Sequence, residues 1–153
     1  MKLTTKGRNA VTAMLDVCLY ANNRPVSLAA IHERQGVSVH YLEQLFLKMR
    51  RAGLVKSVRG PGGGYQLSRD ASSIKIADII YAVEDNFQIT LCGGHVNCRQ
   101  GSQCIGHGLW CRMEQVLEDF LANLSLYDAV CISKQDSYVV PREKLPIKLN
   151  QEY

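Results

Sequence analysis

The 153-residue sequence has no uninterrupted apolar run near the roughly 18 residues that a membrane-spanning helix requires. It also lacks internal repeats and low-complexity tracts, and with 46% hydrophobic residues it carries too much apolar surface for a disordered chain. No C-x-x-C pair occurs and no Ser/His/Asp arrangement is apparent, which disfavours a small redox catalyst or a hydrolase. The length excludes a large multidomain enzyme. The basic, polar start at residues 1–8 leads into a short apolar stretch broken by Asp16, with no small-residue cleavage site. A signal peptide is therefore not expected, and a soluble, globular protein of the cytoplasm is.

Acidic residues are scarce in the first half. Up to Lys75 the chain holds 12 Lys and Arg against 4 Asp and Glu, whereas the remainder holds 6 against 10. A basic first half points to an anionic partner, or to a solvated face. Nucleic acid is favoured over a membrane surface because aromatic residues are only 7% and lipid-anchor signals are missing.

Apolar spacing predicts a helix over 5–20 behind a Thr4/Thr5 cap, through Ala10, Val11, Met14, Leu15, Cys18 and Leu19. A second helix is predicted over 28–35 with Ser27 as cap and Gly36 as stop. Ser38 then caps a third, with Leu42, Leu45, Phe46 and Met49 as its stripe and Gly53 past its end. Two helices joined by a glycine turn make a helix-turn-helix. Beyond Gly53 the period changes: Leu54, Val55 and Val58, then the turn Arg59-Gly60-Pro61-Gly62-Gly63-Gly64, then Tyr65 to Leu67, read as a hairpin. A fourth helix is expected near 76–84, with Ser72 or Ser73 nearby for capping. Residues 86–106 show no period, and 109–124 carry a long stripe through Leu109, Met113, Val116, Leu117, Phe120 and Leu124 that could pack on a second copy. The tail from Ser133 is expected to be largely unstructured.

Helices followed by a hairpin give a mainly α fold, a winged helix-turn-helix in which the helix over 38–51 enters the major groove and the wing at 59–64 reaches the backbone or minor groove. Ser38, His40, Tyr41, Glu43, Gln44 and Lys48 supply donors and acceptors on the reading helix. Gln44 suits adenine, and Glu43 suits cytosine N4 while its charge opposes phosphates and guanine edges, so it excludes wrong sites. Arg59 beside the unencumbered Gly60 suits a narrow minor groove. Lys2, Lys6, Arg8, Lys48, Arg50 and Arg51 are candidates for phosphate contacts. The glycine run is no nucleotide cradle, since the Lys-Ser/Thr that completes one is missing and no helix follows at once.

Six cysteines in a chain expected in the cytoplasm favour metal or redox chemistry over a disulfide framework. Cys18 and Cys131 lie in apolar segments and read as buried thiols. Cys92, Cys98 and Cys104 are spaced by five residues, with His107 two further on and Cys111 beyond it. Soft thiolates with one imidazole fit zinc or an iron-sulfur cluster, and spacing does not choose between them. His107, Cys111 and His95 are each open as the fourth ligand.

Residues Lys2-Leu3-Thr4, Gly7-Arg8, the segments 10–17 and 41–46, and Val58-Arg59-Gly60-Pro61-Gly62-Gly63-Gly64-Tyr65 together closely resemble the iron-sulfur cluster regulators of the Rrf-type winged-helix transcription factor family, from Met1 to about Val130. The resemblance implies a homodimer that binds a pseudo-palindromic operator in double-stranded DNA. It also implies one 2Fe-2S cluster per chain on Cys92, Cys98, Cys104 and His107, delivered by the cluster assembly machinery. The cluster state then selects between DNA site classes, and the loaded regulator represses the genes for cluster assembly. A nitric-oxide sensor of the same fold is the alternative within the family, and a zinc-stabilised DNA-binding protein without sensing the alternative outside it. The chain is thus expected to divide into a DNA-binding domain (1–85), a cluster-binding loop (86–107), a dimerisation helix with its following segment (108–132) and a flexible tail (133–153). His40 stands where members of the family tend to carry a small hydroxyl residue, and Cys111 is an extra thiol beside the site.

Overall fold

The computed structural model describes residues 4–21, 24–84, 98 and 102–133. Lys2, Cys92, His95, most of the 86–107 segment and the tail beyond Ser133 lie outside them. Helix α1 (Thr5–Tyr20) starts where the Thr4 hydroxyl accepts the Gly7 N–H at 3.3 Å, and it buries Ala10, Ala13, Met14 and Val17. Helix α2 (Leu28–Gln35) is capped by Ser27, which accepts the Ala30 N–H at 3.2 Å. It stops at Gly36, whose φ of 69° is open to a residue without Cβ. The carboxylate of Asp16, buried in α1, ties the two helices together. It accepts from Arg34 at 2.9 and 2.6 Å and from Gln35 at 2.8 Å.

Helix α3 (Val39–Arg51), capped by Ser38, buries Leu42, Leu45, Phe46 and Met49, the stripe the sequence predicts. Strands β1 (Val55–Val58) and β2 (Gly64–Leu67) pair antiparallel with Val55 opposite Leu67 and Val58 opposite Gly64. Val26 adds a short third rung by exchanging backbone hydrogen bonds with Tyr65 at 2.9 and 2.8 Å. That rung requires Gly64, because a Cβ there would collide with the Val26 carbonyl. The Tyr65 ring also packs 4.6 Å from Phe46, fixing the wing to α3.

After a 3-10 turn (Ala71–Ser73), helix α4 (Ile76–Val83) buries Ile76, Ile79, Ile80 and Val83 at the centre of the core. Its start corrects the expectation of a serine cap: Lys75 holds the cap position, and Asp78 reaches back to accept its N–H at 3.3 Å. Helix α5 (His107–Asn123) begins two residues before the predicted 109–124. Helix α6 (Leu126–Ser133), which the sequence reading did not anticipate, folds back onto α1 and the 3-10 turn and places Leu126 in the main core. Its signal is local and was legible: Ser125 and Asp128 cap one another, with the Ser125 hydroxyl accepting the Asp128 N–H at 3.1 Å and the Asp128 carboxylate accepting the Ser125 N–H at 3.1 Å. No helix among the described residues is long and apolar enough to cross a membrane.

Candidate nucleic-acid interface and thiol cluster

The turn over 36–38 sets α3 on the surface, and the His32 ring, 2.9 Å from the Val37 carbonyl, braces it. With the apolar stripe turned inward, His40, Glu43 and Gln44 face solvent as one group. His40 Nδ1 lies 3.7 Å from the Glu43 carboxylate, and His40 Nε2 lies 3.2 Å from Gln44 Nε2. Two further expected members of this face, both half-buried, also make contacts within the fold. The Tyr41 ring is half-buried against the core, and the Lys48 ammonium donates to the Val83 carbonyl at 3.2 Å, so it serves the C-terminal end of α4.

Arg50 remains exposed and spans to the Ser57 hydroxyl at 3.5 Å, linking α3 to β1. Arg59 and Gly60 lie exposed at the wing tip, which is closed by the Gly63 N–H donating to the Gly60 carbonyl at 2.9 Å. Gly60 (φ 111°) and Gly62 (φ 73°) take the left-handed conformations this tip demands. Arg8, Arg51, Lys56 and Arg59, all in the basic half of the sequence, are each exposed.

Sequence reasoning missed the junction at Val83 and Glu84. Besides the Lys48 contact, the Glu84 carboxylate accepts the Thr4 hydroxyl and, at 3.0 Å, the Gly7 N–H, so an acid from α4 satisfies the positive end of α1. Partners some 80 positions apart leave no local pattern.

The start of α5 sets two thiols beside one imidazole. His107 is the first residue of the helix, and its N–H donates to the Cys104 carbonyl at 3.0 Å. Cys98 Sγ lies 3.0 Å from His107 Nδ1, while Cys111, one helical turn further on, lies 3.5 Å from Nε2 and 4.0 Å from Nδ1. The described cysteines are free thiols, and no group of three His, Cys, Asp or Glu side chains among the described residues is gathered as a metal site. The donor chemistry is nonetheless restricted. Thiols and one imidazole, with no carboxylate in these contacts, fit zinc or an iron-sulfur cluster and not calcium or magnesium.

The profile of the Rrf2 family, described as an iron-dependent transcriptional regulator, matches residues 3–131. The HTH-type transcriptional regulator IscR of Vibrio campbellii is 56% identical over 126 residues, covering 82% of this chain and 75% of the relative. IscR of Photorhabdus laumondii is 52% identical over 130 residues, covering 85% and 79%. Among solved structures, CymR, the global cysteine regulator of B. subtilis, superposes with a TM-score of 0.75 at 33% identity, over 89% of this chain and 99% of that one. T. potens IscR does so with a TM-score of 0.70 at 35% identity, over 91% and 94%. A helix-turn-helix with a basic hairpin wing, the family profile over most of the length and relatives above half identity converge: the chain belongs to the Rrf2 family of iron-dependent transcriptional regulators and is a DNA-binding regulator of the IscR type, not an enzyme.

Proposed function

We propose that this regulator senses iron-sulfur cluster supply and changes its DNA site preference with the cluster state, acting on the genes for cluster assembly. The observation that carries the reading is the seating of His107 on the first turn of α5 with Cys98 Sγ 3.0 Å from its ring. Cys92, Cys98, Cys104 and His107 are the proposed ligands of one 2Fe-2S cluster per chain. When bound, the cluster supplies a redox-active and degradable group whose presence reports iron and sulfide status. The chain's own part is to couple that presence to α5. His107 is both proposed ligand and first helical residue, so ligation there would act on the start of the helix.

Helix α5 is also the proposed dimer contact. Glu114 is its sole buried residue among those described, whereas Leu109 and Trp110 are 66% and 45% exposed in the single chain. An apolar face of this kind fits a second copy, and a two-fold pair would present two α3 helices to successive major grooves of a pseudo-palindromic operator. Since a ligand shifts an equilibrium only through differential affinity, the cluster must favour one arrangement of the dimer on DNA over the other. On α3 and the wing, Ser38, His40, Glu43, Gln44, Arg50, Arg59 and Gly60 form the proposed reading set, with Glu43 rejecting sites that offer it no donor.

The test is an absorption spectrum of protein purified without oxygen, with iron and acid-labile sulfide measured on the same sample. About two irons and two sulfides per chain, with visible bands, are expected. A colourless protein that carries zinc and takes up no iron on reconstitution would leave the DNA-binding assignment standing and remove the sensing mechanism.

A further inference from the structure

Two residues of the proposed reading set on α3 are joined by a third. The His40 imidazole stands between Glu43 and Gln44, with Nδ1 3.7 Å from the Glu43 carboxylate and Nε2 3.2 Å from Gln44 Nε2. The i, i+3 and i, i+4 spacings put all three on one face of the helix, and all three are exposed. The contact with Gln44 fixes where the ring carries its proton. An amide nitrogen only donates, so His40 Nε2 must accept, and the proton of the neutral ring lies on Nδ1, on the side of Glu43. Gln44 uses one of its two N–H groups in this way. The other, with Oε1, stays available for an adenine edge, which takes an acceptor at N6 and a donor at N7.

We infer that His40 is a positioning residue for base reading: its neutral ring orients the Gln44 amide toward adenine, and protonation of the ring reverses that amide and admits guanine. The inference deepens the proposed reading set and rests on it. A protonated imidazole donates from both nitrogens, so the contact between the two Nε2 atoms would set donor against donor. Turning the amide over brings Oε1 to the ring and its N–H groups to the groove, where guanine O6 and N7 are acceptors. The ring also becomes a cation within ion-pair reach of Glu43, which weakens the opposition of that carboxylate to acceptor-rich edges. Both changes act in the same direction. Imidazole suits the role because it is the side chain whose charge ordinarily changes between about pH 5 and 8. Among the described residues, Glu43 is the charged group that faces His40. The basic half of the sequence holds one other imidazole, His32 of α2, which contacts the Val37 carbonyl in the turn before α3.

The experiment compares full-length wild type, His40→Ala and Gln44→Ala, whose substituted side chains are exposed and leave the core untouched. In the free protein, NMR follows the Gln44 side-chain amide and the His40 ring from about pH 8 to about pH 5.5. The amide signals are expected to move with the ring in wild type and to stay still in His40→Ala. Binding selections on randomised duplex DNA are then run at the two ends of that range. At the base position whose preference Gln44→Ala abolishes, the adenine-to-guanine ratio of wild type is expected to fall at least about fivefold at the lower pH, and that of His40→Ala to be the same at both. An imidazole that only met phosphate would raise affinity at every site without moving this ratio. An amide that does not follow the ring, a wild-type ratio equal at both pH values, or the same pH dependence in His40→Ala, where His32 remains, would overturn the role of His40 alone. If no base position responded to Gln44→Ala, Gln44 would leave the reading set and the inference would fall with it.

Discussion

Asp16 of α1 is the charged residue most fully withdrawn from water among those described, its side chain 0% exposed beside an Arg34 that is 31% exposed. Its hydrogen bond and charge hold the Arg34 guanidinium above its ordinary pKa. The asymmetry of burial decides what each truncation costs. Arg34→Ala strands a buried carboxylate with Gln35 as its remaining side-chain donor and should cost about 3 kcal/mol, whereas Asp16→Ala leaves a cation that can reach solvent and should cost less. Urea denaturation of both single variants and the double variant checks the order, and equal losses would show that the pair acts through packing alone. At Glu43, a member of the proposed reading set, the expected consequence is one of specificity, because the carboxylate is exposed in the free protein and a DNA contact would strip its water. Glu43→Ala should broaden the accepted operators in a binding selection on randomised DNA. An unchanged preference would remove Glu43 from the reading set.

Between elements, the packing of α4 against α5 brings the Tyr81 hydroxyl near two acids. Partial burial comes first and the charges of Glu118 and Glu114 follow, and together they raise the tyrosine above its ordinary pKa of about 10. The protonated form is thus favoured by folding. The associated stability is complete below the unfolded-state value and is lost as pH rises through the folded one. Thermal unfolding followed from pH 9 to 11 should show a fall that Tyr81→Phe reduces, and an equal fall in both proteins would assign the alkaline loss elsewhere. The same packing explains why α5 is amphipathic without being buried: Leu121 and Leu124 reach the core while Leu109 and Trp110 do not. Hydrophobic periodicity marks the whole stripe and cannot distinguish its two ends.

For the whole molecule, the exposed end of α5 and the DNA-reading surface make one prediction. Leu109→Glu puts a charge into the proposed two-fold contact and should convert dimer to monomer in sedimentation velocity, with operator affinity falling at least about tenfold as the two half-sites are decoupled. A dimer that persists in this variant would move the interface off this end of the helix. Lys48 belongs to the same scale. Its contact with Val83 joins the reading helix to the residues where α4 ends, and Glu84 joins that end to α1. Helices α1, α3 and α4 therefore meet at one junction.

What the sequence determined by itself is the set of features written in neighbouring residues. The caps at Thr4, Ser27 and Ser38, the glycine stops at 36 and 53, the stripe of α3 and the glycine-rich wing tip each depend on spacings of a few positions. The basic half, the thiol spacing and the family motifs were legible for the same reason. Tertiary structure decided the rest. It tied Lys48 to the Val83 carbonyl, packed Tyr41 against the core, seated Val26 against the wing and returned α6 to the core. It also set Cys111 beside His107 at a distance that spacing leaves open. These outcomes depend on which groups meet across tens of residues or on the exact rotation of a side chain, and burial and hydrogen-bond satisfaction settle them only once the chain has closed on itself.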